Sequence, residues 1–574
     1  MAPADPGSSR TLKKVDSMLE FFQPELWKAF RKGYHRADFT SDLSSGILVG
    51  VVALPLAMAF AIASGCSPGQ GIFTAIIASV IIGSLGGCRL QIAGPTGAFV
   101  GLCAEGVTHF GYGGLALATL MAGILLILMG VFRLGRAIQF IPMPVIVGFT
   151  TGIAMVILST QLKDALGLRF DGSGANFLQR LQLVATHLGE WQGSSVSLCT
   201  ATVLLILAIR RISPALPAAL LALVLCTVAA TALHLDTATI LSRFHQIPHS
   251  IPLPSLDAFD LGQHWNFRLL MHRLYELRIL AVAIALLGAI ESLLSAVVAD
   301  GMTGDRHHSD TELFAQGVAN VVSPFFMGLP VTGAIARTAT NIRAGARTPV
   351  SSLIHAATLL AIILLAAPLA SRIPLPCLAG VLFVVCWNMA ELRQWPLLMK
   401  TKRSDAFLLP MAFLLTVFVD LTMAVVVGTL LSMLFFVKRM ADVTLVDMVT
   451  DASETLPRSQ IAPGIEIYEV NGPFFFGVAS ALRDLISRVS GTPTALILHI
   501  RHVPFIDGTA VFALRDLHAN CRKRGIVLIL AGVQSRPLQM LVRSGLALEI
   551  GEACIFSDFR TAHAYAAGLA PRRG

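Results

Sequence analysis

Charge is what this 574-residue chain has least of: Asp, Glu, Lys and Arg make up 13% of it, against about a quarter in soluble domains. With 55% hydrophobic residues and a mean hydropathy of +0.72, that shortage excludes a water-soluble fold for most of its length. Cysteine pairing is missing as well. The nine cysteines form no CxxC pair and none clusters with His, so neither a disulfide framework nor a zinc site follows; most sit in apolar runs, where Cys behaves as a small hydrophobe. The first 36 residues lack the apolar core of a cleavable signal peptide. They are polar and basic, with Lys13, Lys14, Lys28, Arg31 and Lys32, and read as a cytoplasmic segment whose stretch Leu19 to Trp27 lies on the bilayer surface. The net charge of +9 does not indicate nucleic acid, because Lys and Arg lie in the N-terminal segment, in short connections between apolar runs and at the C-terminus. That is the positive-inside pattern.

What is present is a long apolar region. A spanning helix needs about 20 apolar residues, and candidates start near 43, 69, 95, 114, 144, 194, 214, 277, 311, 331, 350, 375, 405 and 421. With the N-terminus inside, the connections bearing Arg133 and Arg136, Arg210 and Arg211, Arg343 and Arg347, Arg393 through Arg403, and Lys438 with Arg439 all fall on the cytoplasmic side. An even number of spans returns the C-terminus inside. Arg268, Arg273 and Arg278 dissent, preceding the eighth helix in what reads as an outer loop. Seven helices on each side of about residue 264 make two halves of opposite orientation, an inverted repeat. The domains read as a cytoplasmic segment over 1–41, a transporter over 42–440 with repeats of about 42–263 and 264–440, a linker over 441–455 and a soluble domain over 456–568.

Two short stretches carry the functional signal. Gly94-Pro95-Thr96-Gly97-Ala98 and Leu329-Pro330-Val331-Thr332-Gly333-Ala334 each break an apolar run with Pro and Gly and then let it resume. Such paired interruptions in two halves point to a transporter's binding site. A helix that starts in mid-membrane leaves its first N–H groups unpaired, and these suit an anion. Pro at the first turn loses no hydrogen bond, Thr96 and Thr332 offer hydroxyls, and Gly97 and Gly333 let a ligand approach the backbone; Ala98 and Ala334 continue the two openings. The plainer reading of either motif alone is a kink relieved by neighbouring helices.

Glu291 lies in the otherwise uncharged run Ala281 to Val298. An ionised carboxylate there costs about 2.5–3.5 kcal/mol, so it faces protein or takes up a proton. Ser295, four residues on, shares its helical face. Arg337 follows Gly333 by four residues and offers a fixed positive charge; the alternative is a charge-pairing Arg. Phe60 is mid-way along the first apolar helix, between Pro55 and Gly65, as pocket wall or as core.

After Thr450 the texture alternates. Strands are expected at Ile465–Phe476, Ala495–His502 and Ile526–Ala531, and helices at Ala479–Val489, Gly508–Lys523 and Pro537–Ser544, a small α/β domain. Asp507 reads as an N-cap, and Thr509 as a candidate phosphorylation target.

These residues resemble the SulP anion permease family, which includes the animal solute-carrier anion exchangers. The likeness rests on Gln91-Ile92-Ala93-Gly94-Pro95-Thr96-Gly97-Ala98-Phe99, on Glu312-Leu313-Phe314-Ala315-Gln316-Gly317-Val318-Ala319-Asn320, on Thr332-Gly333-Ala334-Ile335-Ala336-Arg337 and on Ala344-Gly345-Ala346-Arg347-Thr348-Pro349. The C-terminal domain is similar to a STAS domain, with Asp507-Gly508-Thr509 where Asp-Ser-Ser or Asp-Ser-Thr is usual; the Gly weakens family-type nucleotide or phosphate regulation. The resemblance implies a polytopic α-helical membrane protein of 14 segments in 7+7 inverted repeats. Helices 1–4 and 8–11 would form a core and 5–7 and 12–14 a gate, as a homodimer moving like an elevator. It implies substrate between the third and tenth helices, lined by Phe60, Thr96, Thr332 and Gly333, with Glu291 as coupling carboxylate.

The block from Gly288 to Gly304 looks closest to the aerobic C4-dicarboxylate branch. The expectation is therefore proton-coupled symport of succinate, fumarate, malate or aspartate across a bacterial inner membrane. Alternatives are sulfate–proton symport, sodium-coupled bicarbonate transport with Ser295 and Thr332 as cation ligands, an exchanger or channel, and a sensor whose soluble domain binds a cytoplasmic protein. No enzyme activity, cofactor, metal or nucleic-acid partner is expected; the partners are a small anion, a proton or sodium ion, and lipid.

Overall fold

The computed structural model describes residues 24–135, 143–170, 177–213, 216–244, 253–259, 267–419, 421–443, 445–448, 461–472, 474, 482 and 493–569. The expected helix at 479–489, Arg136, residues 1–23 and most of the 441–455 linker lie outside them. The chain divides into two compact units, Met1–Ser432 and Met433–Gly574.

The first unit is helical. A short helix α1 (Glu25–Arg31) precedes α2 (Arg36–Ala63), α3 (Pro68–Leu85), strand β1 (Ala93–Gly94), α4 (Gly97–Val131), α5 (Met143–Leu166), α6 (Gly193–Ile212) and α7 (Ala218–Ala232). The second half runs α8 (Phe267–Thr303), α9 (Ser309–Val322), β2 (Thr332–Gly333), α10 (Ile335–Arg343), α11 (Val350–Ser371), α12 (Leu375–Met389), α13 (Arg403–Phe418) and the start of α14 (Leu421–Val443), a helix that continues past Ser432. Seven of the described helices are long and apolar enough to cross a membrane. Helix starts follow local chemistry: at α3, Pro68 occupies the first turn and the Ser67 N–H donates to Gln70 Oε1 at 2.8 Å, a capping box. The helices expected from 95 and 114 form one element, α4, broken at Gly111, whose φ of +70° takes it out of the helix.

One expectation needs correction. Arg268, Arg273 and Arg278 belong to the opening turns of α8, not to an outer loop, because that helix starts about ten residues before its apolar run. Sequence hydropathy marks only the buried part of a helix and is blind to polar turns that extend it.

Packing sorts the helices into two groups. In one, α4 lies against α8 and α9, and α11 against α2 and α3; in the other, α5 lies against α12 and α13, and α6 against α7 and α12. These are the core and the gate. Small residues let the core backbones touch: a Cβ on Gly123 would stand 2.7 Å from the Gly317 carbonyl, and one on Gly317 2.7 Å from that of Gly123. Close approach of this kind replaces the hydrophobic drive that lipid cannot supply.

The second unit carries a four-stranded sheet in the order β3 (Leu445–Met448), β4 (Ile465–Asn471), β5 (Ala495–His502) and β6 (Val527–Ala531). β3 pairs antiparallel with β4, and the other two pairings are parallel. Strand β5 is buried from Ala495 to Ile500, as a central parallel strand should be. Helices α15 (Gly508–Lys523), α16 (Ser535–Arg543), α17 (Leu546–Ile550) and α18 (Phe559–Leu569) follow. β3 falls within the stretch expected to be linker. Four residues at a sheet edge leave too little periodicity to read.

Candidate functional site

The two interrupted stretches meet. β1 and β2 pair antiparallel, Ala93 opposite Gly333 and Gly94 opposite Thr332, and the Ala334 N–H donates to the Ile92 carbonyl at 2.8 Å. Each two-residue strand leads straight into a helix, so the N-termini of α4 and α10 start from one crossing. Antiparallel pairing here is what two halves of opposite orientation produce.

Residues of the blocks that carry the family resemblance hold this crossing from outside. Glu312 Oε2 accepts the Gly87 and Cys88 N–H groups at 3.0 and 3.1 Å, on the chain leading to β1. One helical face further along, Asn320 exchanges two 2.8 Å hydrogen bonds with the backbone of Val331, just before β2. The Ala344–Pro349 block is anchored by Asp42, which accepts the N–H groups of Arg347 and Thr348 at 2.7 and 3.0 Å. A buried carboxylate bonded by several donors is satisfied in place. These blocks are scaffold for the site.

The two openings differ in what they leave free. At the first, Thr96 is 9% exposed and its Oγ1 is buried with no hydrogen-bond partner among the described residues. The N–H groups of Gly97 and Ala98, in the first turn of α4, have no acceptor there either. Phe60 is packed over this point: a Cβ on Gly97 would lie 3.3 Å from Phe60 Cε1 and 2.7 Å from Met389 Sδ. Met389, at the end of gate helix α12, thus joins the wall.

At the second opening the expected groups are engaged. Thr332 Oγ1 lies 2.8 Å from Ser292 Oγ and donates to the Gly288 carbonyl, and the Gly333 N–H donates to Ser292 Oγ at 3.1 Å. A Cβ on Gly333 would stand 1.6 Å from Gln91 Nε2, so any side chain there displaces the buried Gln91 amide from its bond to the Ser292 carbonyl. With the Gly333 and Ala334 amides committed, the unpaired donors of α10 lie one step on, at Ile335 and Ala336. Thr332, Gly333 and Ala334, expected to line the ligand, thus commit their hydroxyl and amides to the crossing.

Arg337 is 4% exposed and its guanidinium donates to the carbonyls of Ala93 and Pro95. It ties α10 to the approach of the other half-helix while keeping a positive charge beside the site. Ser295 Oγ donates to Thr338 Oγ1 at 3.0 Å, so its proton serves the α8–α10 contact and not Glu291. Glu291 itself is 9% exposed with no side-chain hydrogen bond among the described residues. Among the described residues, the charged group that acts on it is Glu391, just past α12, held at a φ of +43°. The neighbouring Ala390 carbonyl accepts from Thr151 Oγ1 at 2.7 Å.

Sequence reasoning missed Gln91, Ser292, Met389, Glu391 and the fully buried His355, neither of whose ring nitrogens is bonded among the described residues. Gln91 stood in a quoted motif, and His355 was the lone titratable residue of the run Val350–Ser371. Those were the available signals. In the second unit, Asp507 Oδ1 accepts the Ala510 N–H at 2.7 Å, an ordinary N-cap, and Thr509 is exposed.

Comparison with known proteins bears on this geometry. The model of the Sulfate permease family matches residues 39–412, and that of the STAS domain residues 457–562. YvdB of Bacillus subtilis, provisionally named a sulfate transporter, is 39% identical over 92% of this chain and 97% of its own. The bicarbonate transporter BicA of Picosynechococcus is 31% identical over 83% of this chain and 85% of its own. Neither name carries a dicarboxylate, so the expectation drawn from the 288–304 block gains no support from them. The structure of the murine anion transporter Slc26a9 superposes with a TM-score of 0.84, covering 96% of this chain and 95% of that one; at 16% identity this bears on the fold alone. Two helix starts crossing within the core, a family model over most of the membrane unit and a STAS domain after it in sequence lead to one assignment: the chain is a multi-pass anion transporter and belongs to the sulfate permease family.

Proposed function

We propose that the protein is a secondary transporter of a small inorganic oxyanion, sulfate ahead of bicarbonate, taken up between the starts of α4 and α10. The observation that carries this is the orphaned Thr96 hydroxyl beside unpaired amides at both helix starts. Donors without acceptors in a dry setting cost about 1–3 kcal/mol each unless a ligand supplies the acceptor. A compact anion with several equivalent oxygens can accept from both helix starts at once, and both helix dipoles favour it. The tight wall of Phe60 and Met389 favours a compact anion over a four-carbon diacid. The names of YvdB and BicA point the same way.

Glu291 is the coupling group of this reading. Among the described residues it has no donor holding it as a carboxylate, and the nearby hydroxyls are bonded in two pairs, Ser292 with Thr332 and Ser295 with Thr338. That arrangement suits proton uptake better than sodium coordination. A proton on Glu291 and an anion at the helix starts then raise each other's affinity, as linkage requires. The core carries both across by moving against the gate, in a homodimer with both termini cytoplasmic and the STAS domain open to a protein partner.

The test is uptake of labelled sulfate into liposomes holding the full chain, with bicarbonate and succinate as competitors and pH and sodium gradients imposed separately. Sulfate uptake accelerated by an inward proton gradient, and blocked poorly by succinate, is expected. Efficient competition by succinate would restore the dicarboxylate reading, and dependence on sodium would replace the proton.

A further inference from the structure

Away from the transport site, a cavity of about 220 Å³ opens beneath α1, between that helix, the turn from α3 into β1 and the turn from α8 into α9. Its charges are unevenly matched. The lining holds four permanent cations, Lys28, Lys32, Arg89 and Arg306, against three carboxylates, Glu25, Asp300 and Asp305. Every carboxylate already has a partner: Glu25 pairs with Lys28 at 2.7 Å, Asp305 with Arg89 at 2.7 Å, and Asp300 with His307 at 2.7 Å. Lys32 and Arg306 are left with no acidic partner among the described residues. The Arg89 Nε–H is buried and also has no acceptor there, its charge being anchored to Asp305 through Nη2. Burial and the nearby Lys28 hold the His308 imidazole below its usual range, so at neutral pH it adds hydrogen-bonding capacity and little charge.

Two long cations and one fixed guanidinium donor around a half-open cavity form a receptor for a dense negative charge. We propose that this cavity binds a phosphate group, gripped by Lys32, Arg306 and the Nε–H of Arg89. Planar guanidinium and flexible ammonium groups are the side chains that hold phosphate, and the cavity is roomy enough to keep several waters around it, at about 30 Å³ each. The group has two possible carriers, a soluble phosphorylated compound or an anionic lipid headgroup. Helix α1 bears on the second: it exposes Trp27 and Phe30 at 61% and 54%, with Arg31 stacked 4.4 Å over the Trp27 ring. Aromatic and basic residues together are what a helix at a lipid headgroup layer presents. Because Gly87 and Cys88 are held by Glu312, the site touches the same turn that leads into β1.

The experiment uses the full-length protein and the Lys32→Gln/Arg306→Gln double variant. Neither residue belongs to the transport site, and both are exposed, so folding is expected to survive and circular dichroism checks it. Calorimetric titration with pyrophosphate, and native mass spectrometry of retained phosphatidylglycerol against phosphatidylcholine, are run on both proteins. A ten-fold or greater loss of pyrophosphate affinity in the variant, about 1.4 kcal/mol, identifies a soluble phosphate ligand. Selective loss of phosphatidylglycerol identifies the headgroup. Lys32→Arg is expected to keep binding. If wild type binds neither probe, or the double variant binds both as well as wild type, the proposal is overturned.

Discussion

The openings of α4 and α10 are written with almost the same letters, Pro-Thr-Gly-Ala and Pro-Val-Thr-Gly-Ala, yet the structure uses them differently. Thr96 presents an unpartnered hydroxyl, while Thr332 is locked to Ser292 and Gly288. Gly97 has Met389 of the gate and Phe60 of the core above it, whereas Gly333 has the Gln91 amide where a side chain would be. The first repeat leaves its threonine hydroxyl free, and the second commits its own to the crossing, while both helix starts keep unpaired amides. Sequence symmetry in an inverted repeat therefore marks the place of a site without dividing its labour equally.

Substitutions that treat the two halves alike break this comparison most sharply. Gly333→Ala places a Cβ 1.6 Å from Gln91 Nε2, so uptake is expected to vanish with a fall in thermal stability. Gly97→Ala meets the flexible end of Met389 first and should leave a folded transporter with reduced uptake. Equal stability losses in the two variants, read by thermal unfolding in detergent, would erase the asymmetry. Next, Glu291→Gln is expected to abolish the response of uptake to a proton gradient while the protein still binds anion; a retained response would remove Glu291 from coupling.

Thr96→Ala removes a hydroxyl that no group among the described residues uses. Uptake should fall about ten- to a hundred-fold, the worth of one hydrogen bond to a charged group at roughly 1.5–3 kcal/mol, with stability unchanged and Thr96→Ser near wild type. Thr332→Val does the opposite, leaving Ser292 short of a partner at about 1–3 kcal/mol of stability; a melting curve separates the two.

A smaller effect concerns the soluble unit. Burial first, then His502 and Arg501, push the His499 imidazole down to about 4. The unfolded chain takes up a proton near pH 6.5, and the folded one does not until about pH 4. Stability from this group is therefore full above pH 6.5 and declines as pH falls through that window. His499→Gln should flatten this part of the pH profile in thermal unfolding of the full chain; an unaltered slope would contradict the assignment.

Much of the site was legible because Pro and Gly inside apolar runs are visible in any sequence, and their spacing of 236 positions, Thr96 to Thr332, pairs them. Glu291 was legible as a charge where none belongs. The partners were not: Ser292 reaches Thr332 across 40 positions and Gln91 reaches Ser292 across 201, contacts that only the folded core defines. Met389 was hidden for a different reason. It is an ordinary apolar residue on a gate helix, and only docking against Gly97 gives it a place in the site. Arg337 was legible as a cation near the site, but its bonds to the Ala93 and Pro95 carbonyls are set only by the fold.

The most direct test is a cryo-electron microscopy map of the full chain in lipid nanodiscs with saturating sulfate. The account predicts density for the anion within hydrogen-bonding distance of Thr96 Oγ1, between the amides that open α4 and α10. Anion density elsewhere in the core, with Thr96 turned onto a protein acceptor and those amides left without ligand, would contradict it.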